Sequence, residues 1–319
     1  MLAMEYDIRV GRYRIGMVDS VTVKKSVETL CDTATIVLPA VYANKSLDVE
    51  SKLTEGDDVT IRFGYGENLE TEFTGYLNTI QTDDNKVTLE CEDAVYLFRK
   101  EVKDTEHKQV TVKSLLQKIV QEIDATFSVS CDYDFVYDKF VVKDATAWDV
   151  LKKVQDETKA NIYFNGKTLH IHPQYSAIAN TQAVVYDFAV NVEKSALKWK
   201  RADERKYFVE VEGVKSDGTR EKVTFGKTGG EKRSIKVFGI TDRASLLKRA
   251  KEELATVVYS GFEGNFTGWL VPYCEPSYKI MLRDGDYPDK NGNYYVVATE
   301  TKFAASGGER VVTIGKKIG

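Results

Sequence analysis

GDDVTIRFGYGENLETEFTGYLNTIQTDDNKVTLECED, running from Gly56 to Asp93, decides the fold of this chain. Val59, Ile61 and Phe63 alternate with polar residues. Phe73, Tyr76, Leu77 and Ile80 follow, and then Val87 and Leu89. This is largely the two-residue period of strands with one buried face. Gly64-Tyr65-Gly66 and Asp83-Asp84-Asn85 punctuate the run, and Gly and Asn tolerate the positive φ of tight hairpin turns, so each marks a chain reversal. The stretch predicts a three-stranded β-meander.

A shift of 221 residues brings the rhythm back near the C-terminus. Gly56 falls on Ser277, Val59 on Ile280, Ile61 on Leu282 and Phe73 on Tyr294. The second copy then needs four extra residues in its last hairpin, where Ala304-Ala305-Ser306-Gly307-Gly308 replaces the Asp-Asp-Asn turn, so that Val87 and Leu89 meet Val312 and Ile314. The expectation is two diverged copies of one small β-barrel or sandwich, with the paired positions facing their own cores.

The 319 residues suffice for two or three domains, and 42% hydrophobic with 11% aromatic content is globular. A net charge of -4, from 45 basic and 49 acidic residues interspersed along the chain, gives no basic footprint for sequence-specific nucleic-acid binding. No apolar run is long enough to span a membrane, and MLAMEYDIRVGRYRIG carries charges where a signal peptide needs an apolar centre, so folding in a cytoplasm is expected. Cys31, Cys91, Cys131 and Cys274 lie far apart without a CxxC and read as free thiols used as small hydrophobes.

Before the meander, strands are predicted at Tyr6 to Val10, Tyr13 to Met17, Val21 to Lys25 and Asp32 to Leu38. Pro39 closes the last, and a helical turn is expected within Leu47 to Leu53. After it, Ala94 to Val102 reads as a strand end or short helix. An amphipathic helix starts at Thr111 as N-cap, with apolar positions 112, 115, 116, 119, 120 and 123. A second helix is expected over Ala147 to Ala160, capped by Thr146 or Asp144, and then a hairpin over Asn161 to His172 turning at Asn165-Gly166. Strands are expected near Ala183 to Val192, Tyr207 to Val214, Lys222 to Phe225 and Ser234 to Val237. A helix over Thr241 to Tyr259 follows, with Ala244, Leu247, Ala250, Leu254, Val257 and Val258 on its stripe and Gly261 as its C-cap. No Pro-rich or Gly/Ser-rich linker separates these parts, so they are expected to pack on each other.

Chemistry-bearing motifs are weak. His170 and His172 share one strand face and could approach a metal, but no third ligand stands nearby and His107 is the only other histidine. Asp289, Asn291, Asn293 and Glu300 occupy calcium-loop positions, yet Tyr294 replaces the glycine of the sharp turn. Gly226-Lys227-Thr228 lacks the first glycine of a phosphate loop, having Glu221 there, and Gly261, Gly264 and Gly268 are not spaced as a dinucleotide fingerprint. No GxSxG elbow and no Cys–His pairing is evident, and Glu90 with Glu92, or Asp284 with Asp286, reads as a solvated face. The residues predict no catalytic, cofactor or metal site.

The order FGYGENLETEFTGYLNTIQTDDNKVTLECEDAVYLFRK, then TAWDVLKKVQDETKANIYFNGKTLHI, then EPSYKIMLRDGD and GNYYVVATETKFAASGGERVVTIG resembles phage baseplate hub proteins. That family is also called late control D or tail protein, and is related to the hub part of type VI secretion spikes. Ser277 stands where the family usually has glycine, and Thr301 and Lys302 where many members have valine and histidine. The resemblance implies a mainly β fold with an α+β insert: a first tube-like barrel over 1–94, an α/β module over 95–175, and a second barrel with one helix over 176–319. It implies a structural protein of the virion tail baseplate, assembled in the bacterial cytoplasm as a homotrimer, whose two barrels per chain present six similar units between a sixfold tube and a threefold spike. Tail tube, spike and tape-measure proteins are the implied partners. A β-rich carbohydrate- or protein-binding module, or an enzyme with a cryptic site, are the competing classes.

Overall fold

In the computed structural model, residues 4–42, 45–46, 49–83, 85–176, 179–202, 206–215, 218–238 and 242–318 are described. The chain is mainly β, and among the described residues the α-helices lie in its middle and in one later insertion. The first nine strands are β1 (Met4–Val10), β2 (Tyr13–Ile15), β3 (Ser20–Ser26), β4 (Thr33–Pro39), the short β5 (Val41–Tyr42) and β6 (Lys45–Ser46), β7 (Asp58–Tyr65), β8 (Asn68–Thr82) and β9 (Lys86–Glu92). β7, β8 and β9 are the predicted meander. The expected helical turn is reduced to main-chain bonds from Lys52 and Leu53 to the Val49 carbonyl. Residues 47 and 48 of that stretch, and Asp84 of the second hairpin, lie outside the described residues.

The middle begins with a 3-10 helix (Ala94–Arg99), β10 (Thr105–Thr111), α1 (Val112–Ile123), β11 (Ser128–Cys131), β12 (Val136–Val142), α2 (Ala147–Thr158), β13 (Asn161–Asn165) and β14 (Thr168–His172). Thr111 caps α1. Thr146 caps α2 in a capping box with Asp149, and Lys159, not an apolar residue, ends that helix in the left-handed region. Asn165 pairs with Thr168, so the hairpin turns on Gly166 and Lys167 rather than on Asn165-Gly166, with Gly166 at φ +54° supplying the first turn position. β10, β11 and β12 carry no clean alternation, so periodicity does not announce them.

Next come β15 (Val184–Asp187), β16 (Val192–Ser195), β17 (Lys198–Lys200), β18 (Tyr207–Val214), β19 (Arg220–Gly226), β20 (Glu231–Phe238), α3 (Arg243–Val257), β21 (Gly261–Gly268), β22 (Lys279–Arg283), a 3-10 turn (Pro288–Lys290), β23 (Gly292–Ala304) and β24 (Gly307–Ile318). Two expectations for α3 are corrected. Val258 is its C-cap and Gly261 opens β21, because the chain re-enters the sheet at once. Leu246 and Ala250 are its buried positions, with Leu247 and Leu254 only partly covered. Thr241 lies outside the described residues, and Asp242 is the N-cap.

The packing partner of 207–257 also differs from the expected grouping with the C-terminal barrel. Val209, Val211, Val223, Val237, Leu246 and Ala250 join the same apolar cluster as α1, α2 and the 3-10 helix of the middle module. The strands announced themselves by alternation, but alternation says only that one face is buried, not against what.

Twelve further strands form two six-stranded arrays of the same neighbour order, β3-β4-β9-β8-β7-β1 and β16-β21-β24-β23-β22-β15, each around its own apolar cluster, with β2 added beside β1 and β17 beside β21. β1 runs antiparallel to β7 whereas β15 runs parallel to β22, which is where the two arrays differ. They are parts of one fourteen-stranded sheet, because β3 of the first pairs with β23 of the second.

Candidate functional site

The joint between the two arrays is built by a strand that changes partners along its length. Gly292 to Tyr295 of β23 pair with β22, and Ala298 to Ala304 pair with β3 on the same edge, with Val27 donating to the Val297 carbonyl between the two runs. Lys24 stands opposite Glu300, and Val21 opposite Phe303. Phe303 then enters the N-terminal core, stacked on Phe63 at 4.8 Å and edge-on to Tyr6 at 5.1 Å, and Leu270 joins that core as well.

A buried ion pair crosses the same joint. Between Ile61↔Phe73 and Arg62↔Thr71 the ladder skips Glu72, so this residue is a β-bulge and turns its carboxylate out of the alternation. The Glu72 carboxylate meets Arg310 of β24, with 4% and 1% of the two side chains exposed. Arg310 also donates to the carbonyls of Leu270 at 2.7 Å and Pro272 at 3.2 Å, and lies 4.9 Å from the centre of the Tyr273 ring. Thr301 donates to Glu72 at 3.1 Å and accepts from Arg310 Nε at 3.3 Å. Burial works against the Arg310 charge, but the Glu72 carboxylate together with Cys274, Tyr186 and Tyr273 outweighs it and raises the pKa. Tyr273 extends the network, its hydroxyl lying within hydrogen-bond distance of both the Thr71 carbonyl and Glu275, which pairs with Lys25 at 3.1 Å.

Beside this joint a polar cleft opens between the N-terminal barrel, the middle module and the Glu275–Ser277 turn, lined by Lys25, Asp32, Asp93, Tyr163, His170 and His172 among others. Asp32 accepts from the Ser26 main chain at 2.9 Å, and Asp93 caps the 3-10 helix by accepting from Val95 at 2.9 Å. Their segments are tied twice: Asp32 N–H donates to the Asp93 carboxylate, and Asp93 N–H to the Asp32 carbonyl. Burial pushes the Asp32 carboxyl up to about 7 although Lys25 pulls the other way, and burial with the neighbouring Asp32 raises Asp93 as well.

The predicted histidine pair does share a face. His172 Nε2 lies 3.4 Å from His170 Nδ1, and His172 Nδ1 lies 3.2 Å from Asp132; Tyr163 stacks on His170. Burial lowers the pKa of both rings. His107 is on β10, bonded to Thr105. Among the described residues no group of three His, Cys, Asp or Glu is arranged to hold a metal. The calcium-like residues are dispersed. Asp289 is in the 3-10 turn, Asn291 accepts from the Asp284 main chain at 2.7 Å, and Glu300 faces Lys302 far along β23. Cys91 and Cys274 are buried and Cys31 and Cys131 half-buried, all as free thiols.

The 221-residue repeat is visible in the hydrogen bonds. Gly56 N–H donates to the Leu77 carbonyl and Leu77 N–H to Asp57; Ser277 N–H donates to Val296 and Val296 N–H to Tyr278. Gly56 and Ser277 both take positive φ, +90° and +73°. Both meanders then carry a one-residue bulge, at Asn78 between Leu77↔Cys91 and Thr79↔Glu90, and at Val297 between Val296↔Ile314 and Ala298↔Thr313. The offset is thus 221 at Gly56/Ser277, 219 at Leu77/Val296 and 223 at Cys91/Ile314. The four extra residues of the last hairpin are there, but the first hairpin is two residues shorter in the second copy. Phe73 therefore matches Gly292 rather than Tyr294, and Val87 and Leu89 match Arg310 and Val312. All the apolar pairs forecast from sequence are nevertheless buried, because a slip of two keeps every side chain on its face.

No protein-family model matches the sequence, and no curated protein does. Solved structures match over nearly the whole chain. The tail protein of Neisseria meningitidis MC58 covers 98% of this chain and 96% of its own, with TM-score 0.72 and 13% identity. The 43 kDa tail protein of prophage MuSo2 from Shewanella oneidensis covers 98% of each, with TM-score 0.67 and 14% identity. An Escherichia coli component of the type VI secretion system, described as structurally similar to the T4 bacteriophage tail proteins gp27 and gp5, covers 99% of this chain and 79% of its own, with TM-score 0.62 and 10% identity. The fold of this chain is the fold of these tail and secretion-spike proteins, as the sequence resemblance implied.

Proposed function

We propose that this chain is a structural baseplate hub protein of a phage or prophage tail, three copies of which form a ring between a sixfold tail tube and a threefold spike. The observation that carries the reading is the duplication. Two arrays of one strand order, with the same bulge and the same positive-φ entry turn, stand side by side in a single sheet. Three such chains offer six similar units, the arithmetic a sixfold-to-threefold adaptor requires. The fold shared with phage tail proteins supports a place in the virion tail, with tube, spike and tape-measure proteins as neighbours.

In this reading the chain divides into an N-terminal barrel over 1–94, a middle module over 95–175 that also carries 207–257, and a C-terminal barrel from the rest. Its role is architectural: the buried ion pair and the capping carboxylates serve the joint between units, and no residue is assigned to catalysis, metal or cofactor. Light scattering with electron microscopy at millimolar protein tests this. A threefold ring of about 108 kDa, from 36.0 kDa chains, is expected, and a monomer throughout would overturn it.

A further inference from the structure

β8 has an edge that its counterpart does not leave open. In the C-terminal array, β22 covers the first part of β23 and β3 covers the rest, from Ala298 onward. In the N-terminal array, β7 covers β8 as far as Tyr76, and the bonds to Gly56 and Asp57 end at Leu77. Beyond that, among the described residues, Thr79 to Thr82 have a ladder partner on one side only, β9, and the bulge residue Asn78 is skipped by the ladder. Gln81 and Thr82 are exposed. By the hydrogen-bond matching above, Thr79 to Thr82 are the equivalents of Ala298 to Thr301, the residues that receive β3.

The strand equivalent to β3 is open as well. β3 flanks β4 as β16 and β17 flank β21: Ser20 opposes Val37 as Lys194 opposes Thr267, and Lys24 opposes Thr33 as Lys198 opposes Glu263. Among the described residues, β16 and β17 pair with β21 alone. One chain therefore carries one satisfied barrel-to-barrel joint and both halves of a second. An unpaired strand edge is a template for another chain.

We infer that the β16–β17 edge of one copy of this chain docks antiparallel on the Asn78–Thr82 edge of β8 in the next, repeating between chains the β3·β23 joint made within each. The register follows from that joint. Thr299↔Lys25 and Glu300↔Lys24 translate to Ile80 opposite Trp199 and Gln81 opposite Lys198. The contact is head-to-tail, so its closure into a ring after three chains rests on the hub reading, while the strand pairing itself does not.

The test is a cross-strand disulfide. Gln81→Cys with Lys198→Cys, both exposed in the single chain, would stand directly opposite each other across the docked edges, within disulfide reach. Oxidised at millimolar concentration, the double variant is expected to give a closed covalent trimer on a non-reducing gel, whereas each single variant does not. Gln81→Glu, which sets a carboxylate opposite Lys198 as Glu300 stands opposite Lys24, should tighten association, and Gln81→Lys should weaken it at least about threefold. A ladder running past three chains would uphold the strand pairing and overturn the ring. A trimer by mass without the disulfide, and indifferent to the Gln81 charge, would overturn this edge while leaving the ring. A monomer with no cross-link would overturn both.

Discussion

Arg310 of the C-terminal barrel and Glu72 of the N-terminal barrel form a fully enclosed ion pair across 238 residues of chain, with Thr301 bonded to both. Two charges taken out of water cost several kcal/mol each, recovered only when both partners and their remaining hydrogen-bond groups are in place. Here the Leu270 and Pro272 carbonyls and the Thr301 hydroxyl supply those groups.

Breaking the pair from one side should therefore be severe. Arg310→Met or Glu72→Leu alone is expected to cost ~3 to 5 kcal/mol, whereas the double variant should recover much of that loss, since apolar replacements of buried ion pairs are often neutral. Urea unfolding of the two single variants and the double checks it; additive losses would show that the two residues do not act as a unit.

The Asp32 carboxyl, raised from an ordinary 3.8 to about 7, gives a pH signature. A carboxyl that holds its proton more tightly folded than unfolded contributes stability below about pH 4, and that contribution is lost as pH rises to about 7. Asp32→Asn keeps an oxygen for the Ser26 N–H and removes the loss. It should be the more stable protein at pH 8, by ~1 to 2 kcal/mol for a half-buried group, and show no gain at pH 4. Denaturation midpoints at the two values measure it.

Ser277 sits at φ +73° and is buried, where glycine would carry no strain. Its hydroxyl interacts with Tyr163 and Tyr295. Relief of ~1 kcal/mol of backbone strain and loss of hydrogen bonding of similar size oppose each other, so Ser277→Gly should change stability by less than about 1 kcal/mol. Ser277→Ala keeps the strain and loses the bonds, and should cost ~1 to 3 kcal/mol.

Phe73, 2% exposed in the N-terminal core, should cost ~3 to 5 kcal/mol on truncation to alanine, and Ser306→Ala on the exposed hairpin tip less than about 0.5 kcal/mol. Thermal unfolding ranks them.

The strands of both meanders, the caps Thr111 and Thr146, and the four-residue insertion of the last hairpin were legible because each leaves a local mark: alternation, a hydroxyl before an apolar stripe, a glycine pair. The two-residue shortening of the first hairpin was not, since an even slip leaves alternation unchanged. Glu72 reads as one more polar residue between Thr71 and Phe73, and only the bulge makes it a core group. Arg310 likewise interrupts an apolar strand without saying what it faces. The resemblance had already singled out Thr301 as a departure, and its hydroxyl turns out to bridge the pair.

The two barrel-to-barrel joints of a closed ring would not be equally strong. Val87 stands where Arg310 does, and Asn291, just before Gly292, where Glu72 does, so the ionic clamp of the joint within each chain has no counterpart in the joint between chains. Load applied along the axis would be carried rigidly by three reinforced joints and would fall on the three unreinforced ones. The ring would then yield there first, parting into intact two-barrel segments rather than shedding single barrels.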